Sequence, residues 1–142
     1  MKSIYTIILF ALLYACSNNS DADNNCNYLL DVTVNYSIDL SLPQYSILNN
    51  VGNSIYIPNI GNKGVIVANA GSSILAWDAS DPNHTPNDCS AIIPDGLFGA
   101  CGCDDGNRYN FITGAADNND ALTCSLKFYP ANRSGNIIYI SN

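Results

Sequence analysis

An all-β domain, a sandwich or a small barrel, is the fold class this sequence predicts, and three observations predict it. Residues 28–42 alternate, with Val32, Val34, Tyr36, Ile38, Leu40 and Leu42 on one face and Thr33, Asn35, Ser37, Asp39 and Ser41 on the other. A period of two marks a half-buried strand. Short runs of β-branched and aromatic residues follow, separated by Gly, Pro, Asn and Asp turns about every ten residues. No stretch carries the apolar stripe of an amphipathic helix.

The chain begins with segments that stand apart from this domain. Met1-Lys2-Ser3 is a short basic start, and Ile4–Tyr14 is an apolar run too short to span a bilayer. Leu13-Tyr14-Ala15-Cys16 resembles a bacterial lipobox. Residues 1–15 are therefore expected to be a lipoprotein signal peptide, with cleavage before Cys16 and lipidation (palmitate) of its thiol. Ser17 favours sorting to the outer membrane. Residues 16–27 read as the lipidated cysteine and a polar tether, SNNSDADNNCN after Cys16. The domain is expected over 28–142.

Within the domain the elements follow in order. The alternating strand ends at Pro43. Tyr45-Ser46-Ile47-Leu48 reads as one helical turn stopped by Asn49-Asn50. Strands are expected at 55–57, at the β-branched run 65–68, and at 74–77. Residues 78–87 are a loop of Asp, Pro, Asn, Ser and Thr. Pro94-Asp95-Gly96 reads as a turn. Leu97-Phe98 and 109–111 are expected to be short strands flanking a cysteine loop. A further strand is expected over 121–129, a turn over 130–135, and a terminal strand over 137–140.

Composition excludes several functions. All twelve acidic residues are Asp, against five Lys and Arg, for a net charge of −7. Nucleic-acid binding needs a basic patch, which this chain lacks. A polybasic membrane contact is equally unsupported, so the lipid would do the anchoring. The single histidine, His84, leaves no serine or cysteine triad with recognisable spacing. No catalytic residue is assigned, and an enzyme is not the expected class.

Five cysteines follow Cys16: Cys26, Cys89, Cys101, Cys103 and Cys124. Three lie in 89–114, CSAIIPDGLFGACGCDDGNRYNFITG, with Gly99, Ala100 and Gly102 leaving room for close backbone approach. A Cys-x-Cys there either binds a metal through thiolate or is stapled to another cysteine. An exported chain favours disulfides. Five cysteines leave at least one free, metal-bound or paired to another chain. The residues alone do not fix the connectivity. His84 has two readings: a ligand with Asp81, Asp88 or Asp104 around a hard or borderline metal, or a loop imidazole bonded locally, which is preferred. Asp104-Asp105-Gly106 lacks the calcium-loop pattern and reads as a turn.

The order of Ala76-Trp77-Asp78, the loop DASDPNHTPNDCS, CGCDDGNRYNFITG, Leu126-Lys127-Phe128-Tyr129 and the ending GNIIYIS resembles the Rieske fold, in particular small Rieske-like lipoproteins of Bacteroidetes-type bacteria. The resemblance covers roughly 28–142, rests on layout more than on an intact motif, and implies a small antiparallel β-sandwich with a cysteine-loop subdomain. The family's Cys-x-His and Cys-x-x-His hold a [2Fe–2S] cluster with two Cys on one iron and two His on the other. The resemblance places Asp81 and Asn83 at the first pair, with His84 one residue late. It places Cys101 and Asp104 at the second pair, with Asp105 nearly as good a match. One of four ligands is clearly kept, and one histidine cannot supply two imidazoles. The resemblance implies a disulfide between Cys89 and Cys103, tying the loops a cluster would otherwise tie. A second arrangement, Cys101–Cys124, would leave Cys26 free.

The expectation is a lipid-anchored protein of the cell envelope, at the outer membrane, with a degenerate Rieske-like domain and no native cofactor. It would be a structural or binding module with the membrane and an envelope protein as partners. The alternative is an electron-transfer protein with an altered [2Fe–2S] ligand set.

Overall fold

The computed structural model describes residues 26–142. The expected signal peptide, Cys16 and most of the expected tether lie outside the described residues. Among the described residues ten strands form three antiparallel sheets stacked as layers. The first sheet has the order β1 (Asn35–Asp39), β10 (Ile137–Ser141), β9 (Ala131–Ser134). The second has the order β2 (Ser54–Ile57), β3 (Val65–Asn69), β4 (Ile74–Asp78), β8 (Phe128–Tyr129). The third is the meander β5 (Ile92–Asp95), β6 (Phe98–Cys101), β7 (Arg108–Asn110).

The middle layer explains the most apolar run of the domain. Every residue of β3 is buried. Val65 and Val67 face the first sheet and pack with Ile38, Leu48, Ile57, Tyr129, Ile138 and Ile140. Ile66 and Ala68 face the other way, into a second core with Trp77, Ile92, Cys101, Tyr109, Phe111 and Leu126. A strand covered on both faces shows no alternation, which is why 65–68 is continuously apolar. Trp77 Nε1 donates to the carbonyl of Phe111 at 2.9 Å and so joins the middle sheet to the loop subdomain.

Several boundaries differ from the sequence expectation. Burial does alternate from Val32 to Leu40, but only Asn35–Asp39 is a strand, because its partner β10 ends at Ser141. The helical turn is a 3₁₀ turn over Ser46–Asn49. Pro94 and Asp95 belong to β5, and the turn itself is Gly96-Leu97, with Gly96 at φ +61. Two-residue hairpins need a positive φ there, hence glycine. Pro94 is tolerated because β5 is an edge strand. Residues 131–134, expected as turn, form β9, and of 121–129 only Phe128–Tyr129 is strand. Among the described residues no helix is long and apolar enough to cross a membrane.

Candidate functional site

The middle sheet delivers one end of the site and the third sheet the other. After β4 the chain leaves as Asp78-Ala79-Ser80-Asp81 and loops through 82–90. The donation from the Asp81 amide to the Ser90 carbonyl, 2.9 Å, closes that loop at its base. The β6–β7 connection, 102–107, faces it and is closed by the Cys101 amide donating to the Asn107 carbonyl at 2.8 Å. Gly102 lets the two loops touch: its amide donates to the Ala91 carbonyl at 2.9 Å, and a Cβ there would come within 2.7 Å of the Cys89 carbonyl oxygen.

A disulfide joins Cys89 to Cys103 and ties loop to loop. A second disulfide joins Cys26 to Cys124 and ties the start of the described chain to the segment before β8. This corrects the second arrangement drawn from the sequence: Cys124 is not bonded to Cys101, and Cys26 is not free. Cys101 is the one free cysteine among the described residues, and it is buried. Burial, with Asp81 beside it, pushes the Cys101 thiol up to about 12.

Asp81 is fully buried beneath the loops. Its Oδ1 accepts a hydrogen bond from the Tyr109 hydroxyl and another from the Asn83 amide at 2.8 Å. Its Oδ2 accepts from Asn107 Nδ2 at 2.9 Å. Burial and the facing Asp81 carboxylate both raise the Tyr109 phenol, which stays protonated and donating. The Asn83 side chain is used completely: its Nδ2 donates to Tyr109 Oη at 2.9 Å and to the Cys124 carbonyl at 2.7 Å, and its Oδ1 accepts from the Cys124 amide at 3.0 Å. The first pair of positions thus acts as a buried polar lock on the second disulfide's segment.

At the second pair both Asp104 and Asp105 are exposed residues, and the carboxylate that comes near Asp81 and Cys101 is that of Asp105. Ligand atoms of Asp81, Cys101 and Asp105 lie within 4.8 Å of one another, as do those of His84, Cys103 and Asp105. Asp105 Oδ1 also accepts from the Asn107 amide at 3.1 Å, the turn expected for this stretch. His84 is bonded locally, its Nδ1 lying 2.6 Å from the Thr85 carbonyl oxygen. Asp88 is exposed and is in neither group.

The residues present do not fit a standard [2Fe–2S] cluster. It needs two thiolates and two imidazoles. The described chain offers one free thiol, one imidazole near the surface, and an aspartate whose oxygens already accept three protein hydrogen bonds. The positions of the ligands are altered, and the neighbouring thiols are oxidised. Sequence reading missed Tyr109 and Asn107 as the partners of Asp81. Tyr109 reads as a core residue, which it is, and nothing local marks its hydroxyl as the cap of a carboxylate twenty-eight residues away.

No family model and no curated protein matches this chain. Among solved structures it is similar to a chain of the complex of reduced oxygenase and oxidized ferredoxin in carbazole 1,9a-dioxygenase. The TM-score is 0.51 and the identity 14%, over 79% of this chain and 94% of that one. It is also similar to a Sphingomonas yanoikuyae B1 ferredoxin, with TM-score 0.47 and 17% identity over 66% of this chain and 88% of that one. A putative NADH-dependent nitrite reductase small subunit from Mycobacterium tuberculosis gives TM-score 0.47 and 16% identity, over 79% and 97%. At such identities a likeness bears on fold alone. The architecture is all-β and antiparallel, and it resembles the Rieske-type β-sandwich with its cysteine-rich loops.

Proposed function

We propose that this chain is a lipid-anchored envelope protein whose Rieske-like domain is a non-catalytic structural or binding module without the standard cluster. One observation carries the reading. Asp81 accepts three protein hydrogen bonds, the Asn83 side chain is used completely, and four of the described cysteines are spent on disulfides. The loops that would grip a cluster are held together covalently instead. Anchoring rests on the sequence of residues 1–16 and on the polar stretch that follows. The work of such a module is recognition. A chain of this fold occurs in a complex of oxygenase and ferredoxin, and an envelope protein partner is the corresponding expectation here.

Expression of the full chain with a labelled fatty acid tests the anchor. Label on the mature protein and its recovery with the outer membrane are expected, both lost in Cys16→Ser. An unlabelled, freely released mature chain would contradict the anchored reading. Cross-linking on intact cells, followed by identification of the adduct, tests the binding role.

A further inference from the structure

We infer that the Cys89–Cys103 bridge gates a zinc site made of His84, Cys89, Cys103 and Asp105. This goes beyond the binding-module reading, which stands or falls separately.

Three observations carry it. First, a ring nitrogen of His84, Sγ of Cys103 and a carboxylate oxygen of Asp105 lie within 4.8 Å of one another, and Cys89 Sγ is one bond from Cys103 Sγ. Three of these donors lie around a common point, and with the Cys89 sulfur next to them they make up a zinc-type donor set of two sulfurs, one imidazole and one carboxylate. Second, the His84 ring is oriented by its neighbours. A carbonyl oxygen accepts only, so Nδ1, 2.6 Å from the Thr85 carbonyl, carries the proton. In the neutral ring Nε2 then presents a lone pair towards Asp105 Oδ2 at 3.6 Å. Two acceptors face each other, and what belongs between them is a proton or a cation. A second ring nitrogen held by a carbonyl is also how metal-binding histidines are oriented. Third, Asn87 Oδ1 lies 3.0 Å from Cys89 Sγ and 3.5 Å from Cys103 Sγ. The bridged sulfurs have no proton to donate. Once reduced, both thiols find an acceptor already in place.

The chemistry balances with a dithiol as reductant. The S–S bond breaks, Cys89 and Cys103 gain two electrons and two protons as thiols, and the dithiol closes to its own disulfide. Zinc(II) then binds Nε2, the Asp105 carboxylate and both sulfurs, and the two thiol protons pass to solvent. The loops are joined in either state, by a covalent bond when oxidised and by a metal when reduced. The separate group of Asp81, Cys101 and Asp105 is not the site, because the Asp81 oxygens already accept Tyr109, Asn83 and Asn107.

Selective opening is feasible because Cys89 is exposed whereas Cys124 is buried. The purified protein is reduced until mass mapping shows the first bridge open and Cys26–Cys124 intact. Zinc is then titrated against a chromophoric chelator, and cobalt(II) serves as the spectroscopic probe. The expected result is one metal per opened chain, with a sulfur-to-cobalt charge-transfer band, and none in the oxidised chain. His84→Ala and Asp105→Asn should each weaken zinc binding about tenfold or more, and the double variant Cys89→Ser/Cys103→Ser should abolish it. Zinc held no more tightly by the opened than by the oxidised chain would overturn the inference. So would full binding in the double variant, which keeps Cys26, Cys101 and Cys124, or binding indifferent to both His84→Ala and Asp105→Asn. If the double variant fails to fold, those two surface substitutions decide.

Discussion

Asp78 and Asp81 stand three residues apart, at the two ends of the segment that leads from the base sandwich into the loops. Both are fully buried. Each accepts from a tyrosine hydroxyl, from an asparagine side-chain amide and from the backbone amide two residues on. For Asp78 these are Tyr129 at 2.7 Å, Asn62 Nδ2 at 2.9 Å and the Ser80 amide at 2.8 Å, with the Asn62 amide a fourth donor at 2.7 Å. For Asp81 they are Tyr109, Asn107 and Asn83. The Tyr129 phenol is raised, as the Tyr109 phenol is, by burial and then by its aspartate. Asp78 lies within the sandwich, where no cofactor is in question, and its role is to fasten β8 and the β2–β3 loop. Asp81 does the same for the β6–β7 loop and β7, at the position where the sequence resemblance puts a cluster ligand. The comparison teaches that Asp81 is a second copy of a structural lock. The regions differ in how they are held otherwise: the base has a continuous apolar core, and the loops have a thinner core plus disulfides.

The largest test of that difference is covalent. The Cys26–Cys124 bridge spans 98 residues and the Cys89–Cys103 bridge 14. Chain entropy predicts that replacing both cysteines of a bridge by serine costs about 4.7 kcal/mol for the first and about 3 kcal/mol for the second. Urea unfolding of each double variant checks the order, and an equal or reversed order would mean that the loop-to-loop bridge contributes more than the closure of its short loop accounts for. Next is Cys101. With its thiol at about 12 against an ordinary 9.0, native Cys101 should alkylate roughly a thousandfold more slowly at pH 8 than the same cysteine in the unfolded chain. Thiol-reactive mass labelling, native against denatured, reads this directly.

The aspartates themselves come third. Asp78→Asn should destabilise by about 3 kcal/mol and Asp81→Asn by about 2 kcal/mol, since each places an amide donor among donors. An aspartate kept for a ligand would cost no stability when replaced in metal-free protein, so an unchanged urea midpoint in Asp81→Asn would break the parallel. The smallest effect is on pH dependence. Cys101, Tyr109 and Tyr129 all have raised values in the folded state. The unfolded chain therefore loses these protons first, and their contribution is complete below about pH 9 and fades as pH rises towards 12. Urea midpoints at pH 7, 9 and 10.5 should fall only in the last interval.

Much of the base was legible because its patterns are local. The alternation from Val32 to Leu40 and the β-branched 65–68 each report their own burial. β9 was not legible: Ala131–Ser134 is a polar, exposed edge, and only its partner β10 defines it. β5 hid behind Pro94, which an edge strand accommodates. The site was half legible. The loops follow from composition, and the resemblance is what drew attention to Asp81, Asn83 and Cys101. The partner of Cys124 does not, because it lies ninety-eight residues away in a polar stretch with no pattern of its own. Nor does the choice of Asp105 over Asp104, which depends on the turn that Gly102 and Asn107 impose.

The most direct test of the cluster-free account is to measure iron, acid-labile sulfide and free thiols on one sample, purified anaerobically after expression with ample iron. The account predicts neither iron nor labile sulfide. Beyond Cys16 it predicts one thiol per chain, Cys101, which becomes reactive on unfolding. Two irons and two sulfides per chain, with a visible absorption band, would contradict it and require ligands that the two disulfides now exclude.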